Sequence, residues 1–243
     1  MKKLFTALVA LVLSLSVSAQ FYIYCSNGDV LEVDSISLVK PDNSNNQINN
    51  HESVDLGLPS GLKWATCNVG ANSPEEYGDY FAWGEVKPKE FYYWSTYKYG
   101  TDYDQLTKYC NYSSYGKDGF IDNKTVLDPE DDAATANWGG AWRMPTKAEQ
   151  DELRNNCTWD WTIQNGVNGY KVTGPNGNSI FLPAAGYVDE GSLRGAGSDG
   201  YYWSSSLDTD GPHSACLVLF DSDYVDWYVN GRYYGLAVRP VCK

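Results

Sequence analysis

The chain has 243 residues with 42% hydrophobic and 20% charged content, which excludes intrinsic disorder and supplies enough apolar side chain for one sizeable core. Acidic residues outnumber basic ones 31 to 18, for a net charge of −13, and that sign argues against nucleic acid or an anionic membrane surface as partner, because both attract Lys and Arg. Tyr (20) and Trp (9) far outnumber Phe (7), so most of the aromatic content carries a polar atom and suits half-exposed surfaces.

Residues 1–19 read as a signal peptide: Met1-Lys2-Lys3 is the positive start, Leu4 to Leu15 the apolar stretch, and Val17-Ser18-Ala19 the small residues before cleavage at Gln20. A secreted protein is expected, periplasmic or at the cell surface. Cys25 follows Tyr24, so the lipoprotein pattern is lacking, and no later run approaches the roughly 20 apolar residues of a membrane span. Residues 20–40 predict a small β-hairpin, with Tyr22-Ile23-Tyr24 and Val30 to Val33 flanking Asn27-Gly28. The polar stretch 41–50 reads as a linker, and the main domain is expected over 51–243.

Within that domain two helix starts are legible. Asp128-Pro129 followed by further acids predicts one, with Asp128 as N-cap. Thr146 and Glu149 form a capping box for a second, running to Asn155. Strands are expected at Leu62 to Asn68, Asp79 to Trp83, a hairpin of Tyr170 to Thr173 with Ser179 to Leu182 around Asn176-Gly177, and then Tyr201 to Ser205, Ala215 to Phe220, Tyr224 to Val229 and Gly235 to Val241. The intervening loops, Pro74 to Leu127 above all, are long enough to be functional or held by aromatic packing. The fold class is α+β. Six cysteines in an exported chain suggest disulfides, whose connectivity spacing does not choose.

Few residues point to catalysis. There are two histidines, His51 and His213, so a histidine metal cluster is excluded, and His213 reads as a solvated loop residue. Asp128, Glu130, Asp131 and Asp132 offer the oxygen ligands calcium takes, while the helix start accounts for them without an ion; no other cofactor is called for. Paired carboxylates of a polysaccharide-acting enzyme are an alternative.

The C-terminal stretch is the most informative. Val225, Trp227 and Val229 alternate with Tyr224, Asp226, Tyr228 and Asn230, so the first set is expected to pack inward and the second to be displayed. Asp221, Asp223, Arg232, Tyr233 and Tyr234 extend the display, and the Tyr92 to Tyr115 loop is expected to add contacts. Rigid aromatic rings mixed with adaptable polar groups suit recognition of a protein or glycan.

Blocks spread along the domain strengthen this. His51 to Gly61, Trp64-Ala65-Thr66-Cys67-Asn68-Val69-Gly70, Tyr77-Gly78-Asp79-Tyr80-Phe81-Ala82-Trp83-Gly84-Glu85, Trp138-Gly139-Gly140-Ala141-Trp142-Arg143-Met144-Pro145-Thr146, Leu182-Pro183-Ala184-Ala185-Gly186, Tyr202-Trp203-Ser204-Ser205-Ser206 and Val238-Arg239-Pro240-Val241 resemble the ordered motifs of the Fibrobacter succinogenes major paralogous domain family. The resemblance spans nearly all of 51–243 and implies a C-type-lectin-like fold, shared with formylglycine-generating enzymes. The late cysteine pair those oxidases need and the sugar-binding triplets of calcium-dependent lectins are both missing from this sequence. Some relatives of the fold are diversified by a retroelement that mutates adenines. By that resemblance Asp221, Tyr224, Asp226, Tyr228, Val229, Gly231, Tyr233 and Tyr234 look variable, and Phe220, Trp227 and Arg232 look like fixed scaffold. A secreted, non-catalytic binding or adhesion module is therefore expected, with an enzyme or a structural subunit of a surface appendage as alternatives.

Overall fold

The computed structural model describes residues 51–243 throughout and, before them, the backbone strands β1 (Phe21–Tyr24), β2 (Val30–Val33) and β3 (Gln47–Ile48). The signal-peptide stretch, Asn27-Gly28 and Cys25 lie outside the described residues. The chain forms two compact units, Met1–Asn43 and Ser44–Lys243. In the first, β1 and β2 pair antiparallel from Phe21↔Val33 to Tyr24↔Val30, as the sequence predicts. Part of the expected linker is instead strand, because Gln47 pairs with Glu52 and Ile48 with His51 at the start of β4 (His51–Asp55).

The second unit is α+β, built of small antiparallel sheets with two helices. At its centre β11 (Gly200–Leu207), β12 (Ser214–Phe220) and β13 (Val225–Gly231) form a three-stranded sheet in that order. Every residue of β12 is buried, which fits its unbroken apolar run better than a one-sided strand would. Leu217 and Leu219 face a core with Trp83, Tyr109, Trp142, Trp203 and Val238. Val218 and Phe220 face a second core with Leu56, Trp64, Val172, Leu182 and Tyr202. Trp64, Trp83, Trp138, Trp142 and Trp203, expected as scaffold, are all buried.

A second sheet stacks β6 (Thr158–Gln164), β7 (Val167–Thr173) and β8 (Ser179–Pro183). The unit closes where β15 (Val241–Cys242) pairs with β5 (Lys63–Ala65), itself beside β4. Strand β5 is shorter than expected because the carbonyls of Ala65 and Thr66 turn to accept from Arg239. In the predicted strand 79–83 only Phe81 pairs, with Leu236, since Gly78 and Gly84 bend the backbone on either side at φ 74° and 81°.

The first expected helix is displaced. Pro129–Asp131 make a single 3-10 turn, and α1 (Ala133–Trp138) begins after it, with the Asp132 carboxylate, not Asp128, accepting from Thr135 N. The capping box holds as read: Thr146 accepts from Glu149 N, and Glu149 from Thr146 N at 2.8 Å, opening α2 (Lys147–Asn156). No helix among the described residues is long and apolar enough to cross a membrane.

Candidate functional site

The β12–β13 hairpin turns on Asp221, whose carboxylate accepts from Asp223 N (2.7 Å) and Tyr224 N (3.1 Å). Asp221 therefore shapes the turn, and Asp223 stands exposed at its tip. The register then separates two faces. Asp226 opposite Leu219, Tyr228 opposite Leu217 and Asn230 opposite Ala215 share one face, while Val225, Trp227 and Val229 lie opposite Phe220, Val218 and Cys216 on the other. The alternation read from sequence sets the faces correctly, and Tyr224 and Tyr228 are 46% and 55% exposed.

Trp227 departs from it. The residue is 45% exposed, because β13 ends the sheet; Lys147 at the start of α2 reaches over the ring, with Nζ 4.4 Å from its centre. An open groove of about 630 Å³ beside it is lined by Lys147, Asp151, Asp208, Asp210 and Cys216.

Arg232 also departs, since it is fully buried and displays nothing. Its Nε donates to the Tyr97 hydroxyl (2.8 Å), NH1 to the carbonyls of Tyr109 and Pro212 (3.1 and 2.9 Å), and NH2 to that of Lys108 (3.0 Å). The guanidinium also lies 5.0 Å from the Trp83 ring centre. Arg232 thus ties Tyr97, Lys108 and Tyr109 of the long loop to the end of β13; Tyr92, Tyr97, Tyr99 and Tyr109 are core residues, and only Tyr103 and Tyr112 among the loop's tyrosines are strongly exposed.

Two further site residues are occupied by the fold. Asp226 pairs with Arg154 of α2 and accepts from Trp227 N (2.8 Å), and Asn230 Oδ1 accepts from Gly231 N (2.9 Å). These two side chains close outward N–H groups of the edge strand.

What remains displayed is a row of rings. Tyr233 and Tyr234 stack at 4.2 Å; Tyr233 meets Trp94 at 5.3 Å, Tyr234 meets Tyr187 at 5.8 Å, and Tyr187 meets Tyr201 at 4.8 Å. All five are half-buried. Burial, reinforced by Asp199, pushes the Tyr201 phenol up to about 12; burial and then Asp221 and Asp199 raise Tyr224. These phenols stay neutral near pH 7 and present O–H groups beside ring surface. Tyr187 and Trp94 escape a reading based on β13 alone; the signal for Tyr187 was Glu190-Gly191, a two-residue turn between β9 (Tyr187–Asp189) and β10 (Ser192–Arg194).

The acidic cluster ahead of α1 is engaged. Asp128, Glu130 and Asp131 converge as a metal site would, but Lys108 Nζ sits among them at 2.7, 3.5 and 2.6 Å, Lys98 reaches Asp131 at 2.9 Å, and Lys124 reaches Asp128 at 2.5 Å. Tyr99 and Tyr109 donate to Asp131 as well. Ammonium groups thus fill the cation's role. His213 is not solvated: its ring stacks on Tyr115 at 5.2 Å, and Nδ1 is buried. His51 stacks on Trp138 at 3.7 Å. Cys67, Cys110, Cys157, Cys216 and Cys242 carry free thiols.

Residues 155–241 match a family described as a domain of unknown function (DUF8237), a stretch that runs from the end of α2 into β15. No curated protein and no solved structure shows significant similarity to the chain.

Proposed function

We propose that this is a secreted, non-catalytic binding or adhesion module that recognises a protein or glycan ligand at the cell surface. The observation that carries this is the row Trp94, Tyr233, Tyr234, Tyr187, Tyr201, adjoined by the exposed Tyr224 and Tyr228. Tyrosine and tryptophan supply large rigid contact area with a polar tip and little entropy to lose on binding. The family resemblance supports the same reading, with a C-type-lectin-like fold, and the antiparallel sheets, two short helices and long ordered loops agree with it in kind. A protein and glycan array probed with the chain and with Tyr224→Ala/Tyr228→Ala tests it: a hit weakened by the double substitution is expected, and hits indifferent to it would sink the reading.

The groove beside Trp227 favours a second reading, an enzyme acting on polysaccharide, because it gathers Asp151, Asp208 and Asp210. Hydrolysis that disappears in Asp151→Asn or Asp208→Asn would replace the first reading with this one.

A further inference from the structure

We propose that the partner of the tyrosine face is a cationic protein segment, one that lays Lys or Arg side chains across the rings. This rests on the face being a binding surface and names what it binds.

The charge of the face is one-sided. Over 187–201 and 221–234, the segments that carry its tyrosines, the sequence has six Asp or Glu residues, two Arg and no Lys, and of the six only Asp226 is paired, among the described residues, with a cation from outside those segments, Arg154 of α2. Of the two arginines, Arg232 is buried with its donors satisfied, and Arg194 faces Asp189 at 3.6 Å. Asp199 lies near enough to act on both Tyr201 and Tyr224, and Asp189 and Glu190 on Tyr233. An aromatic surface under that field attracts cations twice, through the carboxylates and through the negative ring faces. The molecule uses the same pairing internally, with Lys98 4.6 Å from the Tyr99 ring centre and Lys108 4.9 Å from that of Tyr109. A neutral glycan would draw no benefit from the field, and an anionic one would be repelled.

The geometry also limits the mode of binding. Because Asp226 and Asn230 close outward N–H groups of β13, a partner that adds a strand to that edge would have to displace them. A segment lying across the rings leaves both bonds intact.

The test uses the full chain and fluorescence anisotropy with three labelled probes: a peptide alternating Arg and Gly, its Glu and Gly counterpart, and a neutral cello-oligosaccharide. The Arg peptide is expected to bind, to weaken about tenfold or more as added salt screens the field, and to lose about tenfold in Tyr224→Ala/Tyr228→Ala but little in Tyr224→Phe/Tyr228→Phe, which keeps the rings. The Glu peptide is expected not to bind. Arg-peptide binding that ignores the alanine substitutions would overturn the proposal, because net charge alone would then explain it. Oligosaccharide binding lost in the same variant would overturn the cationic partner while leaving the face as the binding site. If the Arg peptide fails to bind at low salt, the cationic class falls, and the array experiment above decides separately whether the face binds anything.

Discussion

Arg232 and Arg239 are buried cations held by neutral oxygens. Arg239 donates to Asn68 Oδ1 and to the carbonyls of Ala65, Thr66 and Phe181, as Arg232 does to a phenol and three carbonyls. Truncating either strands several buried acceptors at about 1–3 kcal/mol for each one that water does not reach. Arg232→Met is therefore expected to lower stability by at least about 3 kcal/mol in urea titrations, whereas Tyr228→Ala, on the exposed face, should stay within about 0.5 kcal/mol. This role of Arg232 was not legible in the sequence: an arginine among tyrosines and acids reads as surface, and three of its four acceptors, on Tyr97, Lys108 and Tyr109, come from a loop more than a hundred residues earlier. Asp131 gives a pH signature. Burial would raise its carboxyl, but hydrogen bonds from Lys108, Tyr109, Tyr99 and Lys98 outweigh that and hold it well below the carboxylate range. A depressed native value means the contribution is complete above about pH 4 and is lost as the pH falls through the native value. Asp132 acts in the opposite sense, because burial raises it. Urea midpoints at pH 7, 5 and 3 should fall less steeply in Asp131→Asn than in the parent chain.

At the scale of elements, local chemistry was legible wherever it decided the outcome alone. The Thr146/Glu149 capping box fixed the start of α2, and Thr146→Ala should cost about 1 kcal/mol, read as a lower urea midpoint. Asn176-Gly177 marked the β7–β8 hairpin. The same kind of signal at Asn165-Gly166, with φ 49° and 85°, joins β6 to β7 in a type I′ turn, and β6 itself was legible though not among the expected strands, since Trp159, Trp161 and Ile163 alternate with Thr158, Asp160, Thr162 and Gln164. Gly166 has open space where a Cβ would go, so Gly166→Ala tests backbone strain alone, at about 1–2 kcal/mol. Arg143 binds both oxygens of Glu149 at 2.7 and 2.5 Å, tying the family-like Arg-Met-Pro-Thr block to the helix it opens. What the sequence hid was Trp227, whose face was read correctly but whose burial depended on how far α2 extends over an edge strand.

For the second unit as a whole, the central sheet divides two cores, so β12 belongs to both and the cores should unfold together. The closing strand makes this testable, since Val241 pairs with Trp64 and exchanges hydrogen bonds with Arg143. A chain ending at Pro240 should lose the β5 pairing and melt well below the full chain in a thermal scan. Fold class and most strands were legible in the apolar runs, while the second core was not, because which face a fully buried strand presents to which partner depends on contacts far away in sequence. The edge of β13 carries one more consequence. A surface strand rich in Tyr and Trp is an invitation to stack with copies of itself, and exposed edges of that composition seed aggregates. Here ring positions 224 and 228 alternate with positions 226 and 230, whose side chains block the edge. Closing the edge is thereby the work of residues other than the tyrosines, so a change of ring at 224 or 228 leaves Asp226 and Asn230 in place over the N–H groups of Trp227 and Gly231.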